Sequence, residues 1–348
     1  MGSEMCIRDR LQAAHARGLS VLLDGVFNHV SRRNRIVQDA QSAGPDSDAG
    51  RMVRWCAGHF DVFEGHSDLV TLNHDNPAVR EHVTRIMNYW CGRGVDGWRL
   101  DAAYSVNPEF WAAVLPPVRE KYPDVWIFGE VIHGDYAGIV RASGMDSVTQ
   151  YELWKGIWSS IESRNFFELD HALGRHNKFS DAFTPMTFVG NHDVTRIASR
   201  VGQDGAVLAT AILATIGGIP LIYYGDELAY RGVKEERFGG DDDIRPVFPA
   251  SPADLSNLGA DTLRAHQNLL GLRRRHPWLV DARTEPLDLT NERYVYRTGV
   301  PGVEPLIVEL DVRNGCSVLI REAGQVVWSS GALSLIHISE PTRLLSIS

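Results

Sequence analysis

Short uninterrupted apolar runs alternate along this chain with longer segments whose apolar residues recur at helical spacing, a pattern that predicts parallel strands joined by helices. Leu11 to Arg17, closed by Gly18, reads as the end of a helix, and Leu19 to Leu23 as a buried strand. Asn76 suits a helix N-cap and Pro77 the first helical position; Val79, Val83, Ile86, Met87 and Trp90 then share one face until Gly92 and Gly94. Strand Gly97 to Leu100 follows, and Asn107-Pro108 opens a helix through Phe110, Val114 and Val118 that Pro116-Pro117 should bend or interrupt. Val125 to Phe128, Asp146 to Thr149, Thr187 to Val189 and Pro220 to Tyr224 are further strands, with helices at Val207 to Ile216 and Leu263 to Arg275. Beyond Pro277 the pattern changes to the short runs Tyr294 to Tyr296, Pro305 to Val308, Ser317 to Ile320 and Gln325 to Trp328, which predict antiparallel strands.

Strands alternating with helices imply an α/β fold with a parallel sheet, and the expected architecture is a (β/α)8 TIM barrel over residues 11–275. About six of its strands are legible where eight close a barrel, so the first strand-helix units are expected to be missing upstream. The stretch from Ser31 to Asp75 is polar, shows no helical repeat and is too long for an ordinary connection, so residues 31–75 read as a short inserted B subdomain. Residues 276–332 read as a small C-terminal antiparallel β domain. Residues 1–10 and 333–348 share no periodicity with their neighbours and resemble translated sequencing-adapter sequence, so they are set aside as artefactual. A barrel without its first strands has open edges, and the chain as written is expected to be inactive or to aggregate while a full-length version is active.

Asp+Glu 44 against Lys+Arg 35 gives a formal net charge of -9, which argues against nucleic acid or an anionic membrane as partner and suits a neutral ligand. Cys6, Cys56, Cys91 and Cys316 form no CxxC pair, so neither a zinc cluster nor a disulfide framework is indicated, and the thiols are expected to be free and mostly buried. The sequence has no stretch apolar enough to span a bilayer and opens on no secretory leader, which favours a cytoplasmic over a secreted setting and leaves the oligomeric state open.

The candidate chemistry lies where apolar runs end in charge. A strand buried on both faces reads as a continuous apolar run, and in a parallel barrel the site collects at the C-terminal strand ends. Arg99 and Asp101 are two apart in a strand, so both project to one side, and a guanidinium there favours the ionised carboxylate. Glu130 follows an apolar strand and Gly129, whose missing side chain allows a close approach; desolvation there is expected to raise its pKa and let it hold a proton. His29 and His192 are placed to hydrogen-bond hydroxyl groups or bind metal, and Asp24 and Asp193 add carboxylates on separate strands. Taken one at a time, an ion pair or a solvated loop explains each of these. Together, acids with opposed protonation demands suit glycosidic bond cleavage through an oxocarbenium-like state.

Four ordered segments, Asp24-Gly25-Val26-Phe27-Asn28-His29, Gly97-Trp98-Arg99-Leu100-Asp101, Gly129-Glu130-Val131 and Asn191-His192-Asp193, resemble the signature segments of the α-amylase family of glycoside hydrolases. Tyr223-Tyr224-Gly225-Asp226-Glu227 resembles that family's final barrel strand, and Leu69 to Asn73 loosely resembles a fifth segment. The resemblance implies a retaining mechanism on α-glucans such as starch or maltodextrin, with Asp101 as nucleophile, Glu130 as general acid and then base, and Asp193 supporting the distorted ring. It implies that Arg99 holds Asp101 ionised, that His29 and His192 bind the cleaved sugar, and that Asp24 organises the mouth. Tyr104-Ser105 stands where many members carry Lys-His in substrate and calcium contacts, and Asn28 matches a family calcium ligand, so a structural calcium is the one candidate metal and no cofactor is required for the chemistry. The short insertion and Asn191 to Arg196 are similar to neopullulanase-like or maltodextrin-acting members.

Trp55, Phe60, Phe63, Trp98 and Tyr104 are candidates for stacking on sugar rings, with core packing as the other reading of each. A transglycosylase using the same intermediate and a catalytically inactive barrel-type binding subunit are the alternatives. A metal-dependent phosphohydrolase is disfavoured, because that type is helical whereas these His and Asp residues follow strand-like runs.

Overall fold

The computed structural model describes residues 2–237 and 239–330, so residues 333–348 lie outside the described residues. Two compact units divide the chain. One comprises the chain up to Glu152 with Lys178–Thr187; the other comprises Leu153–Asn177 and the chain from Phe188 onward.

The first unit is built on a parallel sheet in the order Leu22–Gly25, Gly97–Leu100, Trp126–Gly129, Ser147–Val148, extended by a parallel bridge from Thr149 to Met186. Register pairs Asp24 with Arg99 and Gly25 with Leu100, which then pairs with Gly129, so Asp101 and Glu130 leave neighbouring strands at the same level. Each crossover is a helix: Pro77–Cys91, Pro108–Lys121 and Tyr136–Ser143. The caps read from the sequence form as expected, with Asn76 accepting from the Ala78 N–H and Asn107 from that of Glu109. Pro116 and Pro117 do not interrupt their helix, since both lie on its exposed face while Val114, Leu115 and Val118 are buried.

Residues 31–75 contain a helix that the sequence pattern does not announce, Arg35–Ala43, capped by Asn34 and burying Val37 and Ala40. Two inward side chains on nine residues are too few to read as a repeat. Strands His29–Ser31 and Leu69–Thr71 pair antiparallel, and Trp55–Cys56 pairs with His59–Phe60. The helix Gly2–His15 includes residues of the segment set aside as artefactual, places Leu11 in the core, and gives way to Gly18 at φ +69°.

The second unit packs helices Ile197–Thr215 and Ala260–Arg275 with a five-stranded antiparallel sheet, Arg283–Leu289, Arg293–Gly299, Leu306–Asp311, Ser317–Glu322 and Gln325–Ser329, paired in chain order. Leu306, Val308 and Leu310 alternate into its core, as the sequence pattern predicts. Two polar tips on that buried face find partners: Tyr294 donates to Asp170 at 2.8 Å, and the Tyr296 and Thr215 hydroxyls meet at 2.6 Å. The helices Tyr151–Ser163 and Phe166–Phe179, absent from the sequence reading, carry the chain from one unit to the other and back. All four thiols are free, but Cys6 and Cys56 are exposed rather than buried.

Candidate active site

In the first unit, the guanidinium of Arg99 gathers three carboxylates. Nη1 donates to Asp24 at 2.6 Å and to Asp101 at 3.0 Å, and Nη2 lies 2.9 Å from Glu130 Oε1. The strand register and the alternation of side chains bring these groups together, with Leu100 turned into the core between Arg99 and Asp101. Burial works against the charge of Arg99, but Glu130, Asp24 and Asp101 outweigh it and raise its pKa.

Glu130 is 6 % exposed, yet its surroundings are not apolar. Beyond Arg99, its Oε2 accepts the Ala102 N–H at 3.0 Å and its Oε1 the Tyr151 hydroxyl at 3.3 Å. Ala102 achieves this in a left-handed conformation, φ +45°, immediately after Asp101. The room that Gly129 provides is taken by protein, because a Cβ there would stand 2.6 Å from Met145 Sδ and 2.9 Å from Ala103 Cβ.

Around these carboxylates, His29 stacks on Phe63 with ring centroids 4.7 Å apart, and Tyr104 donates to Glu64 at 2.6 Å. Burial lowers the His29 pKa, with Asp101 and Glu64 pulling the other way, so the ring is neutral at pH 7. The Asn28 amide stands 3.3 Å from His29 Nδ1; with the amide as donor, the network puts the ring proton on Nε2 and leaves it available to a ligand hydroxyl. Burial raises the Tyr104 phenol, and the adjacent Glu64 adds to this, so Tyr104 stays a donor. Among the stacking candidates, Trp98 is a core residue 2 % exposed, whereas Trp55 and Phe60 pair with each other at 4.4 Å.

Asn28 is buried, and among the described residues no three His, Cys, Asp or Glu side chains converge as metal ligands. Calcium draws on backbone and amide carbonyl oxygens as well as carboxylates, Asn28 being the one such candidate from the sequence, and no step is derived through that ion.

In the second unit, Asp193 is held by Arg245 at 2.8 Å and His192 at 3.1 Å, while Asn191 accepts the Asp193 N–H. Arg245 also binds Asp241 at 2.8 Å and the His192 carbonyl at 2.8 Å. Behind this loop, Arg196 is fully buried and donates to Asp226 and to the Tyr224 carbonyl, both at 2.9 Å. Burial pushes the Asp226 pKa up to about 7 against the pull of Arg196. Gly190 is required here, because a Cβ would stand 2.5 Å from Asp226 Oδ2. Sequence reasoning missed the contacts of Glu64, Tyr151 and Arg245, which come from a turn, a helix start and a loop with no motif of their own.

Parallel strands alternating with helices, with charged side chains gathered just past the strand ends, accord with the class of β/α-barrel enzymes. The chain belongs to the α-amylase family: the family's catalytic domain matches residues 55–281, and its fold is the (β/α)8 barrel. It is 30% identical over 258 residues to Alpha-amylase 3 of Dictyoglomus thermophilum, covering 66% of this chain and 51% of that protein. It is 29% identical over 299 residues to the maltogenic alpha-amylase of Bacillus acidopullulyticus, covering 80% of this chain and 49% of that protein. A solved debranching enzyme from Nostoc punctiforme superposes with TM-score 0.74 at 27% identity, over 87% of this chain and 67% of the other. The chain thus spans about half the length of the curated relatives it matches.

Proposed function

We propose that the protein cleaves α-glucan oligosaccharides or polysaccharides as a retaining glycoside hydrolase, through a covalent glycosyl-enzyme intermediate. The observation that carries this reading is the sharing of Arg99 by Asp101 and Glu130. Two carboxylates on adjacent nitrogens of one planar guanidinium are kept close, which favours the retaining separation of about 5 Å over the inverting one of about 6.5–9.5 Å.

Asp101 attacks the anomeric carbon as the glycosidic bond breaks, and Glu130 gives its proton to the departing oxygen. Glu130 then takes a proton from the water that releases the sugar from Asp101. Arg99 holds Asp101 ionised, Asp193 supports the distorted ring, His29 and His192 bind its hydroxyls, Tyr104 contacts the substrate and Asp24 organises the mouth. Residues 31–75 serve as the inserted subdomain and 276–332 as the C-terminal β domain. A cytoplasmic setting is supported by one similar protein, the intracellular maltogenic amylase of Bacillus subtilis.

Maltotriose hydrolysis by a full-length version, followed by proton NMR, tests the assignment. The first product is expected as the α-anomer, and Asp101→Asn should lower kcat by about a thousandfold or more. A first-formed β-anomer would refute the retaining assignment, and products longer than maltotriose would mark transfer in place of hydrolysis.

A further inference from the structure

Away from the strand ends, helices Pro77–Cys91 and Pro108–Lys121 contribute to a groove of about 390 Å³. Arg80, Thr84 and Asn88 recur every fourth residue along one helix, and Ala113, Pro117 and Lys121 along the other; Glu81 and Arg85 complete the lining. The small side chains of Ala113 and Pro117 leave the space open. Pro117 also has no N–H to return to the Ala113 carbonyl, so that oxygen loses its helical donor.

Two further polar atoms lack partners among the described residues: Arg80 Nε and Asn88 Oδ1 are buried without a hydrogen bond. Arg80 and Lys121 form no ion pair among the described residues, whereas Arg85 gives one donor to His82 Nδ1 at 2.9 Å. A chain of net charge -9 therefore sets Arg80, Arg85 and Lys121 against the single carboxylate of Glu81 around one groove.

From this arrangement we infer that the groove binds a small phosphorylated sugar. Unpaired Arg80 and Lys121 call for an anion, and a planar guanidinium with a mobile ammonium matches a phosphomonoester dianion. The Ala113 carbonyl is an acceptor, to which a fully ionised phosphate offers nothing and a sugar hydroxyl offers a donor; Thr84 serves as either partner. Among the described residues no aromatic ring lines the groove, so a neutral glucan would lack the stacking face that holds its apolar side. The two helices flank strand Gly97–Leu100 in the chain, one entering it and the other following it, and the ligand would tie them together.

Calorimetric titration and thermal unfolding of the full chain with glucose 6-phosphate, inorganic phosphate and glucose test the inference. Glucose 6-phosphate is expected to raise the unfolding midpoint saturably and to bind about tenfold or more tightly than inorganic phosphate, with glucose inert. Arg80→Gln combined with Lys121→Gln should weaken binding about tenfold or more by removing charge. Ala113→Leu should do the same by filling the groove while every charge stays, so either variant that folds gives a result. Binding unchanged in these variants, a response to glucose equal to that of its phosphate, or phosphate binding as tightly as the sugar phosphate overturns the inference.

Discussion

Arg99 reaches Glu130 at 2.9 Å through the nitrogen that Asp24 and Asp101 leave free. A lysine at this position keeps the charge but presents a single point, which cannot serve carboxylates on three strand ends at once. Arg99→Lys is therefore expected to lower kcat on maltodextrin by about a hundredfold, the range found when one preorganised donor is lost, with a smaller change in KM. Steady-state kinetics check this; a variant with parental kcat would show that the shared guanidinium is dispensable.

Tyr104 and Glu64 link the loop after Asp101 to the turn Phe63–Gly65, in which Glu64 holds φ +49°. Tyr104→Phe deletes the hydrogen bond and keeps the ring. An exposed bond of this kind contributes about 0.5–1.5 kcal/mol, so KM should rise roughly two- to tenfold with kcat retained. A fall in kcat without a change in KM would move Tyr104 from binding to the chemical step.

The buried pair Arg196 and Asp226 gives a stability prediction. Asp226→Ala takes from the fully buried guanidinium of Arg196 the acceptor that it holds at 2.9 Å, which typically costs about 3–5 kcal/mol. Urea denaturation should show the loss as an earlier midpoint with unchanged slope. A loss below about 1 kcal/mol would mean that the carbonyls of Tyr224 and Ile244 suffice for Arg196.

Burial lowers the pKa of His176 to about 4, while its Nε2 stands 3.1 Å from the Gly217 carbonyl. The unfolded chain takes up this proton first, so stability is full above about pH 6.5 and falls as the pH drops toward 4. A difference of roughly 2.5 pH units corresponds to about 3 kcal/mol at most. Denaturation midpoints across that window should show the decline, and His176→Gln should flatten it. An equal slope in the variant would assign acid sensitivity to other groups.

Legibility in the sequence followed how local the cause was. Strands Gly97–Leu100 and Trp126–Gly129 were readable because burial on both faces leaves an apolar run. The helices starting at Pro77 and Pro108 were readable because a capping asparagine and a first-turn proline act within three residues. Arg35–Ala43 was not, since its amphipathic face holds only Val37 and Ala40. The same division runs through the candidate site. The i, i+2 spacing announces that Arg99 and Asp101 share a side, whereas Tyr151 reaches Glu130 across 21 residues and Arg245 reaches Asp193 across 52, contacts that only the folded chain creates.

The left-handed turn at Ala102 has a consequence for how this region can change. Its N–H is bound to Glu130 Oε2 while its own backbone continues directly from Asp101. Through this one peptide a displacement of either carboxylate is handed to the other, so the two cannot be tuned as separate dials. In the proposed mechanism, variants that disturb residue 102 should shift formation and breakdown of the intermediate together, and selection acting on one step would carry the other with it.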